Sequence, residues 1–390
     1  MDNRLAMART RIGDVDALRG FALLGIFLVN ITFMASGYPG NLVDDPDFAS
    51  PLDDAVRMTS SVFVDMKFYL LFSFLFGYSF TLQMDAAARA GARFGPRMLR
   101  RVGGLFALGA LHIVFLYGGD VLTTYAVVCL VLLLMRNVRD RTALWTAAGL
   151  YAAVLLSLVA GALLVDRSAF LPARAEALAN AEQTTRALLG GWGDIIGEHL
   201  AGLPLLVVQA VSLQGPAALA AFLVGMVVGR RGLLVGVRGD EPVLRRIQAV
   251  GFPVGIAGGV LYAVGGGNAD TFAVAASFAT APLLTAAYVA TLLRVVHAPW
   301  GGAVRDALAP AGRMALTNYL GQALAGLLVF TGIGLGLAGA LSPLETLGVA
   351  VVVFALQLAA SAWWLRGHRY GPAEWLLRWV TNARRPAWRA

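Results

Sequence analysis

Ten apolar runs follow one another along the chain and are separated by mostly short polar connections. They span residues 18–36, 59–84, 99–117, 121–135, 143–165, 203–229, 248–267, 271–293, 312–332 and 343–365. Crossing the hydrocarbon layer of a bilayer takes about 20 residues of helix, and the runs have about this length. The pattern therefore predicts an all-α fold, a polytopic membrane bundle of about ten transmembrane helices that forms a single integral membrane domain over residues 1–390.

The distribution of arginine predicts the orientation of this bundle. If the amino terminus is inside, 26 arginines fall in inner connections and four in outer ones, while an acidic cluster at 44–54 lies in the first outer loop. Cytoplasmic connections of membrane proteins carry an excess of Lys and Arg. We therefore expect both termini in the cytoplasm.

Composition narrows the chemistry that the chain can support. It is 58% hydrophobic and 14% charged, and its net charge of +8 is spread over many short connections, which indicates membrane topology and no nucleic-acid partner. Cys129 is the single cysteine, so we predict neither a disulfide framework nor a metal site. Phosphate-binding loops and zinc-protease motifs do not occur at usable spacing.

Two connections are longer than the others. The outer segment 166–200 is rich in alanine with mixed charge, which predicts an amphipathic helix on the outer surface. It either caps an external cavity or simply connects two membrane helices. The inner stretch 230–246 is basic and predicts contact with anionic lipid, so membrane lipids are expected partners.

Ionisable residues near the outer ends of the second to fourth runs form a first candidate site. Asp65 and Lys67 begin the second run, His112 lies in the outer half of the third, and Asp120 follows in a short turn; Lys67 is the single lysine of the chain. Charges inside a membrane are costly unless they pair or face water, so each is a functional candidate. A histidine beside a carboxylate can act as a general base. The structural alternative is a buried ion-pair network.

Polar residues near the inner ends of the first and last runs form a second candidate site, which would open to the cytoplasm. Arginines there are suited to phosphate groups. The structural alternative is that the amides and hydroxyls only join helices by hydrogen bonds worth about 0.6 kcal/mol each. The members are Arg19, Asn30, Arg313, Thr317, Asn318, Gln322, Gln357 and Ser361.

Five stretches of the chain carry a family resemblance: DALRGFALLGIFLVNI, KFYLLFSFLFGYSF, RRVGGLFALGALHIVFLYGGDVLTTYA, PAGRMALTNYLGQ and QLAASAWWLRGHRYGPAEWLLRWVT, of which GPAEWLLR is the most specific. They resemble the YeiB family of bacterial inner-membrane proteins. The resemblance implies a multi-pass protein of the bacterial plasma (inner) membrane, with a family-level function that is unknown.

The YeiB family is in turn similar in fold to multi-span acyltransferases such as heparan-alpha-glucosaminide N-acetyltransferase. The LRGF and VN elements of that branch fall on Arg19, Gly20 and Phe21 and on Val29 and Asn30. The histidine that follows in that branch has no counterpart here, so the base role would fall to His112 with Asp120.

Our leading hypothesis is a membrane acyltransferase that moves an acyl group from cytoplasmic acyl-CoA to a hydroxyl or amine at the outer face. Arg19 and Arg313 would hold the donor phosphates, while Asn30 and Lys67 would polarise the acyl carbonyl. The alternatives are a transporter or exporter of a small polar or lipidic solute, and a lipid-binding or scaffolding protein. The expected partners are lipids, a small-molecule or lipid-linked substrate, and a second copy of the chain in a homodimer.

Overall fold

The computed structural model describes residues 2–165, 171–234, 237 and 241–389, with side chains from residue 13 onward. These residues form sixteen helices and no strand. In chain order the helices are α1 (Asp2–Ala35), α2 (Pro51–Phe63), α3 (Lys67–Arg89), α4 (Phe94–Phe115), α5 (Leu122–Leu134), α6 (Asp140–Leu164), α7 (Arg174–Leu188), α8 (Trp192–Ala201), α9 (Leu203–Gln209), α10 (Gly215–Arg231), α11 (Pro242–Val264), α12 (Thr271–Val296), α13 (Gly301–Arg313), α14 (Ala315–Phe330), α15 (Pro343–Trp364) and α16 (Pro372–Asn382).

Each predicted apolar run corresponds to helical structure. Within the described residues, eight helical stretches are long and apolar enough to cross a membrane, which indicates a multi-pass membrane protein. The fourth and ninth runs form the shorter apolar helices Leu122–Asn137 and Ala315–Phe330. The all-α membrane bundle is thereby confirmed, and the number of crossings supported by length and composition is eight.

Two predicted runs are interrupted. The second run contains a break between α2 and α3, where Met66 adopts a left-handed conformation with φ of 66°. Such a φ is costly for a residue other than glycine, so the surrounding contacts must hold the break in place. The sixth run continues from α9 through a π-helical segment, Ala210–Gln214, into α10. The hydropathy of the two runs does not predict either the α2–α3 break or the π-helical segment.

Helices α3 and α10 pack closely at a pair of glycines. A Cβ atom added at Gly77 would overlap the backbone of Phe222, and one added at Gly225 would overlap the backbone of Phe74. Small residues allow membrane helices to approach backbone to backbone. The close contact of α3 with α10 therefore depends on these two glycines.

One end of the bundle, which we call the cap end, gathers residues 36–50, 116–121, 171–202 and 331–342. The Gly37 amide donates to Thr185 Oγ1 at 3.0 Å, and the amides of Gly332 and Gly339 donate to the Leu188 and Ala35 carbonyls at 2.9 and 2.8 Å. The predicted outer segment 166–200 thus contains two helices, α7 and α8, packed on neighbouring loops; residues 166–170 lie outside the described residues.

The opposite end, which we call the arginine end, gathers the start of α4, the α5–α6 connection, the end of α10 and the carboxyl-terminal residues. Arg231 Nε donates to Asp140 Oδ2 at 2.9 Å, and Arg97 Nε donates to Asn382 Oδ1 at 3.0 Å. Within the predicted lipid-contacting stretch 230–246, residues 235, 236 and 238–240 lie outside the described residues.

Candidate functional site

His112 and Asp120 form a buried pair at the cap end. His112 lies in the last turn of α4, and the YGGD turn brings Asp120 back beneath it, so that Nδ1 and Oδ1 are 3.3 Å apart. The two residues are 1% and 4% exposed. The separation is at the long limit of a hydrogen bond, and neither atom has a better-placed partner among the described residues. The predicted histidine–carboxylate pair is therefore brought together.

The second nitrogen of His112, Nε2, is buried without a hydrogen-bond partner among the described residues. A carboxylate at Nδ1 favours the tautomer with the proton on that nitrogen, which leaves Nε2 as a proton acceptor. An unsatisfied buried nitrogen costs about 1–3 kcal/mol. Buried groups without a partner are rare in folded proteins, which makes Nε2 a candidate functional atom.

Three aromatic side chains surround the pair. Tyr319 of α14 stacks on the His112 ring with centroids 5.0 Å apart, and Tyr117 meets it edge-on at 6.2 Å. His199 of α8 packs over the Gly118 backbone, and its Nδ1 is 3.2 Å from the Val114 carbonyl oxygen. Helix α8 therefore packs over the turn that carries Asp120.

Asp120 is also held by the start of α5. Its Oδ2 accepts the Thr123 amide at 2.6 Å, which satisfies one of the free donors at the helix amino terminus. Burial raises the pKa of the Asp120 carboxyl, but the contact with His112 and the amides of Thr123 and Leu122 outweigh it and leave the pKa below its usual value. We therefore expect Asp120 to be ionised beside His112.

Lys67 has different neighbours from the His112–Asp120 pair. It is fully buried, and its Nζ donates to the Ser61 carbonyl at 2.9 Å, in the last turn of α2. It also contacts Ser277 Oγ at 3.5 Å and lies 5.9 Å from the centre of the Tyr262 ring. A cation on the last carbonyls of a helix stabilises its carboxyl end. Lys67 therefore stabilises the α2–α3 break, with Asp65 close by.

The four predicted catalytic residues do not form one cluster of contacts. The polar contacts of Lys67 are with α2, α11 and α12, whereas those of His112 are with the α4–α5 turn and α14. Asn30 is half-buried in the last third of α1. Among the described residues, no hydrogen bond joins Asn30 or Lys67 to the His112–Asp120 pair.

The two arginines of the second candidate site differ in their surroundings. Arg19 donates to Asp16 Oδ1 and to Ser79 Oγ, both at 2.5 Å, and its side chain is 22% exposed. Arg313 is exposed at the end of α13. Both guanidinium groups lie within electrostatic range of Asp16. The Arg19 guanidinium is largely engaged by Asp16 and Ser79, whereas the Arg313 guanidinium is accessible.

The amides of the second site bond to one another. Gln322 Nε2 donates to Gln357 Oε1 at 3.1 Å, Gln357 Nε2 donates to the Asn318 carbonyl at 2.9 Å, and Asn318 Nδ2 donates to Ser361 Oγ at 2.9 Å. Gln322 Oε1 has no partner among the described residues. The four residues connect α14 to α15, as the structural interpretation of the sequence requires.

Glu374 is a residue that the sequence reasoning missed. Its Oε1 accepts the amides of Leu316 and Thr317 at 2.6 and 3.1 Å, and its Oε2 accepts the Thr317 hydroxyl at 2.6 Å. Thr317 Oγ1 in turn accepts the Ala373 amide at 3.0 Å. Burial raises the pKa of the Glu374 carboxyl, and these hydrogen bonds oppose the shift. The glutamate of the GPAEWLLR motif therefore caps α14 from another helix.

A second histidine–aspartate pair was also missed. His297 Nε2 and Asp14 Oδ2 are 3.0 Å apart, although 283 positions separate them in the chain. His297 is the C-cap residue of α12, and Asp14 lies in the first half of α1. Only the tertiary packing of α1 against α12 brings them together, so local sequence offered no signal. No cluster of three or more His, Cys, Asp or Glu suited to a metal occurs among the described residues.

The architecture defines a multi-pass helical membrane protein with a buried His–Asp pair, and comparison with other proteins gives its family. The family model described as "Protein of unknown function (DUF418)" matches residues 228–384. "Uncharacterized protein YxaH" of Bacillus subtilis (strain 168) is 30% identical over 392 residues, covering 96% of this chain and 95% of the relative. "Uncharacterized protein YeiB" of Escherichia coli (strain K12) is 28% identical, covering 94% and 95%.

A third relative is similar over the same extent. "Uncharacterized 39.9 kDa protein in amylase 3'region" of Bacillus acidopullulyticus is 29% identical, covering 96% of this chain and 95% of the relative. The chain belongs to the YeiB-like DUF418 family, a family of unknown function. The resemblance stated from its motifs is thus confirmed.

Proposed function

We propose that the chain is a bacterial inner-membrane acyltransferase with ten crossings and both termini in the cytoplasm. The two shorter apolar helices have sixteen residues each when the turn after α5 is included, about 24 Å of helix. Local thinning of the bilayer accommodates a span a few ångströms short. The separation of an arginine end from a cap end supports this orientation.

The observation that carries the catalytic proposal is the His112–Asp120 pair with its unpartnered Nε2. Asp120 holds the imidazole with the proton on Nδ1, and Nε2 takes the proton from the hydroxyl or amine of an acceptor at the cap end. The acceptor oxygen or nitrogen bonds to the acyl carbon of a thioester. The carbon–sulfur bond breaks, and the leaving thiolate takes up the proton.

The donor in this proposal is acyl-CoA from the cytoplasm, with its phosphates assigned to the exposed Arg313, because Arg19 already donates to Asp16 and Ser79. Arg313 precedes Tyr319 by six residues, a rise of about 9 Å, and Tyr319 stacks on the His112 ring, so the thioester has to reach His112 on an arm that extends beyond the phosphates. The pantetheine arm of coenzyme A has this form. Lys67 and Asn30 have no part in the proposed step, because their contacts lie elsewhere.

The test measures binding and release of thiol by the full chain in nanodiscs supplied with acetyl-CoA and longer acyl-CoA. We expect saturable binding, and we expect His112→Gln to lower turnover at least about 100-fold with little change in binding, as for loss of a general base. Asp120→Asn should lower turnover less. His297→Gln is the matched control, because it removes the other histidine of a His–Asp pair.

Two results would overturn the acyltransferase proposal. One is the absence of saturable binding at millimolar donor. The other is equal turnover in His112→Gln and the wild type, because the proposal makes the unpartnered Nε2 of His112 the general base. Loss of turnover in His297→Gln alone would move the base to the arginine end and would also contradict the assignment.

A second candidate function is proton-coupled transport. The observation that favours it is the presence of two His–Asp pairs, His112–Asp120 at the cap end and His297–Asp14 between the end of α12 and the first half of α1. Intramembrane chains of such groups are typical of proton relays. Substrate-dependent flux into proteoliposomes without a covalent product, lost in both His112→Gln and His297→Gln, would favour transport over acyl transfer.

A further inference from the structure

A groove of about 640 Å³ lies at the arginine end, between the start of α4 and the chain that follows α16. Its size is within the range of ligand pockets in proteins. Five arginines line it together with Asn382 and small residues, and none of the described lining residues is acidic. The arginines are Arg93, Arg97, Arg100, Arg384 and Arg385.

Within the part of the chain that the structure describes, these five arginines have no acidic partner, unlike several other arginines. Arg57 pairs with Asp54 at 2.6 Å, and Arg231 pairs with Asp140 at 2.9 Å. Among the described residues, none of the five groove arginines takes part in an ion pair. Because no side-chain carboxylate among the described residues lines the groove or pairs with these arginines, the five guanidinium groups give it a positive potential.

The groove is built on packed elements. Arg97 Nε donates to Asn382 Oδ1 at 3.0 Å, and Arg100 Nε donates to the Thr381 carbonyl at 3.1 Å. Arg97 Nη1 is buried and has no partner among the described residues. The Arg385 guanidinium lies 5.6 Å from the centre of the Trp375 ring. Two arginines are therefore positioned by hydrogen bonds, and one retains an unused donor.

The neighbouring helix places the groove at the level of lipid headgroups. Leu377 and Val380 of α16 face Gly104 of α4, while Leu376 and Trp379 are 41% and 44% exposed. A short helix with apolar side chains exposed on one side and arginines beside it is typical of an interfacial helix. Trp and Tyr are enriched at the same level.

We propose that this groove binds a phosphate-bearing ligand at the arginine end of the bundle. The guanidinium group presents paired N–H donors that match the oxygens of a phosphate, and several of them together suit a ligand with two or more phosphate charges. Two sources share this chemistry, the headgroup of an anionic phospholipid and a free phosphate compound. The proposal does not depend on the acyltransferase function.

The experiment uses the full chain in nanodiscs of neutral phosphatidylcholine and has two arms. The lipid arm measures retention of added phosphatidylglycerol and cardiolipin by native mass spectrometry. The soluble arm measures binding of inorganic pyrophosphate and of coenzyme A by calorimetry. A hydrogen bond to a charged group is worth about tenfold in affinity, so Arg97→Gln/Arg100→Gln should weaken binding at least about tenfold.

Two further variants keep the test decisive. Arg384→Gln/Arg385→Gln should weaken binding similarly, and we expect this variant to fold, because both residues are exposed and lie outside helices. Arg245→Gln/Arg246→Gln removes the same charge from exposed positions of α11 outside the groove and should change affinity less than about twofold.

The outcomes are distinct. Groove-dependent binding of lipid but not of pyrophosphate or coenzyme A assigns the site to a headgroup, and the reverse assigns it to a free phosphate compound. Either result supports the proposal. It is overturned if none of the four probes binds, or if the control pair weakens binding as much as the groove pairs, because the effect would then reflect net charge alone.

Discussion

Removing the Glu374 carboxylate tests whether a residue distant in sequence holds the start of α14. Three hydrogen bonds converge on this half-buried group, two from backbone amides and one from the Thr317 hydroxyl. Loss of a helix cap costs about 1 kcal/mol, and leaving donors without an acceptor adds to that. We expect Glu374→Ala to lower the free energy of unfolding by about 2 kcal/mol.

Glu374→Gln should cost less, about 1 kcal/mol, because one oxygen remains. The amide oxygen can accept the two backbone amides while the NH2 group donates to the Thr317 hydroxyl, so the main loss is the charge at the helix amino terminus. For a chain longer than 250 residues, about 2 °C of melting temperature per kcal/mol is a reasonable conversion. The two variants should therefore melt about 4 °C and 2 °C below the wild type.

Two measurements check this reasoning. Thermal unfolding in detergent can be followed by tryptophan fluorescence, because Trp375 adjoins the site. Hydrogen exchange of the first turn of α14 should be about 30-fold faster in Glu374→Ala if opening is local. The control is Glu345→Ala, which removes an exposed capping glutamate and should have a smaller effect. An unchanged melting temperature and exchange rate in Glu374→Ala would refute the capping role.

Three further predictions concern packing, protonation and topology. Gly225→Ala should lower the free energy of unfolding by about 2 kcal/mol, because the added methyl group meets the α3 backbone. Gly149→Ala is the control and should be neutral, because a methyl group there meets no neighbouring atom; equal melting temperatures of the two variants would contradict the prediction. The stability advantage of wild type over Asp120→Asn should be present above pH 5 and disappear as the pH falls through the lowered pKa of Asp120; a pH-independent difference would argue against that shift. Gly40→Cys should react with an impermeant maleimide in intact cells and Gly367→Cys only after permeabilisation; the opposite pattern would reverse the topology.

The pairing of His112 with Asp120 was predictable because it is nearly local. Eight positions separate the two residues, and the turn between them is too short to place them at different depths. Lys67 was correctly identified as a buried cation, but its partners were not predictable, because Ser277 and Tyr262 come from helices about 200 positions away. Burial follows from hydropathy, whereas the identity of a partner follows from helix packing.

The amino-acid sequence by itself determined the class of the molecule, its helices and its family. A segment that crosses the hydrocarbon layer must be long and apolar, and its backbone groups must be hydrogen-bonded within the segment. Composition and the length of the apolar runs therefore reveal such segments in the sequence. The tertiary structure alone decided which polar groups meet: Glu374 with the start of α14, Asp14 with His297, and the five arginines around one groove. The physical reason is that apolar helices of similar hydropathy can pack in many arrangements, and only side-chain fit at close crossings selects one of them.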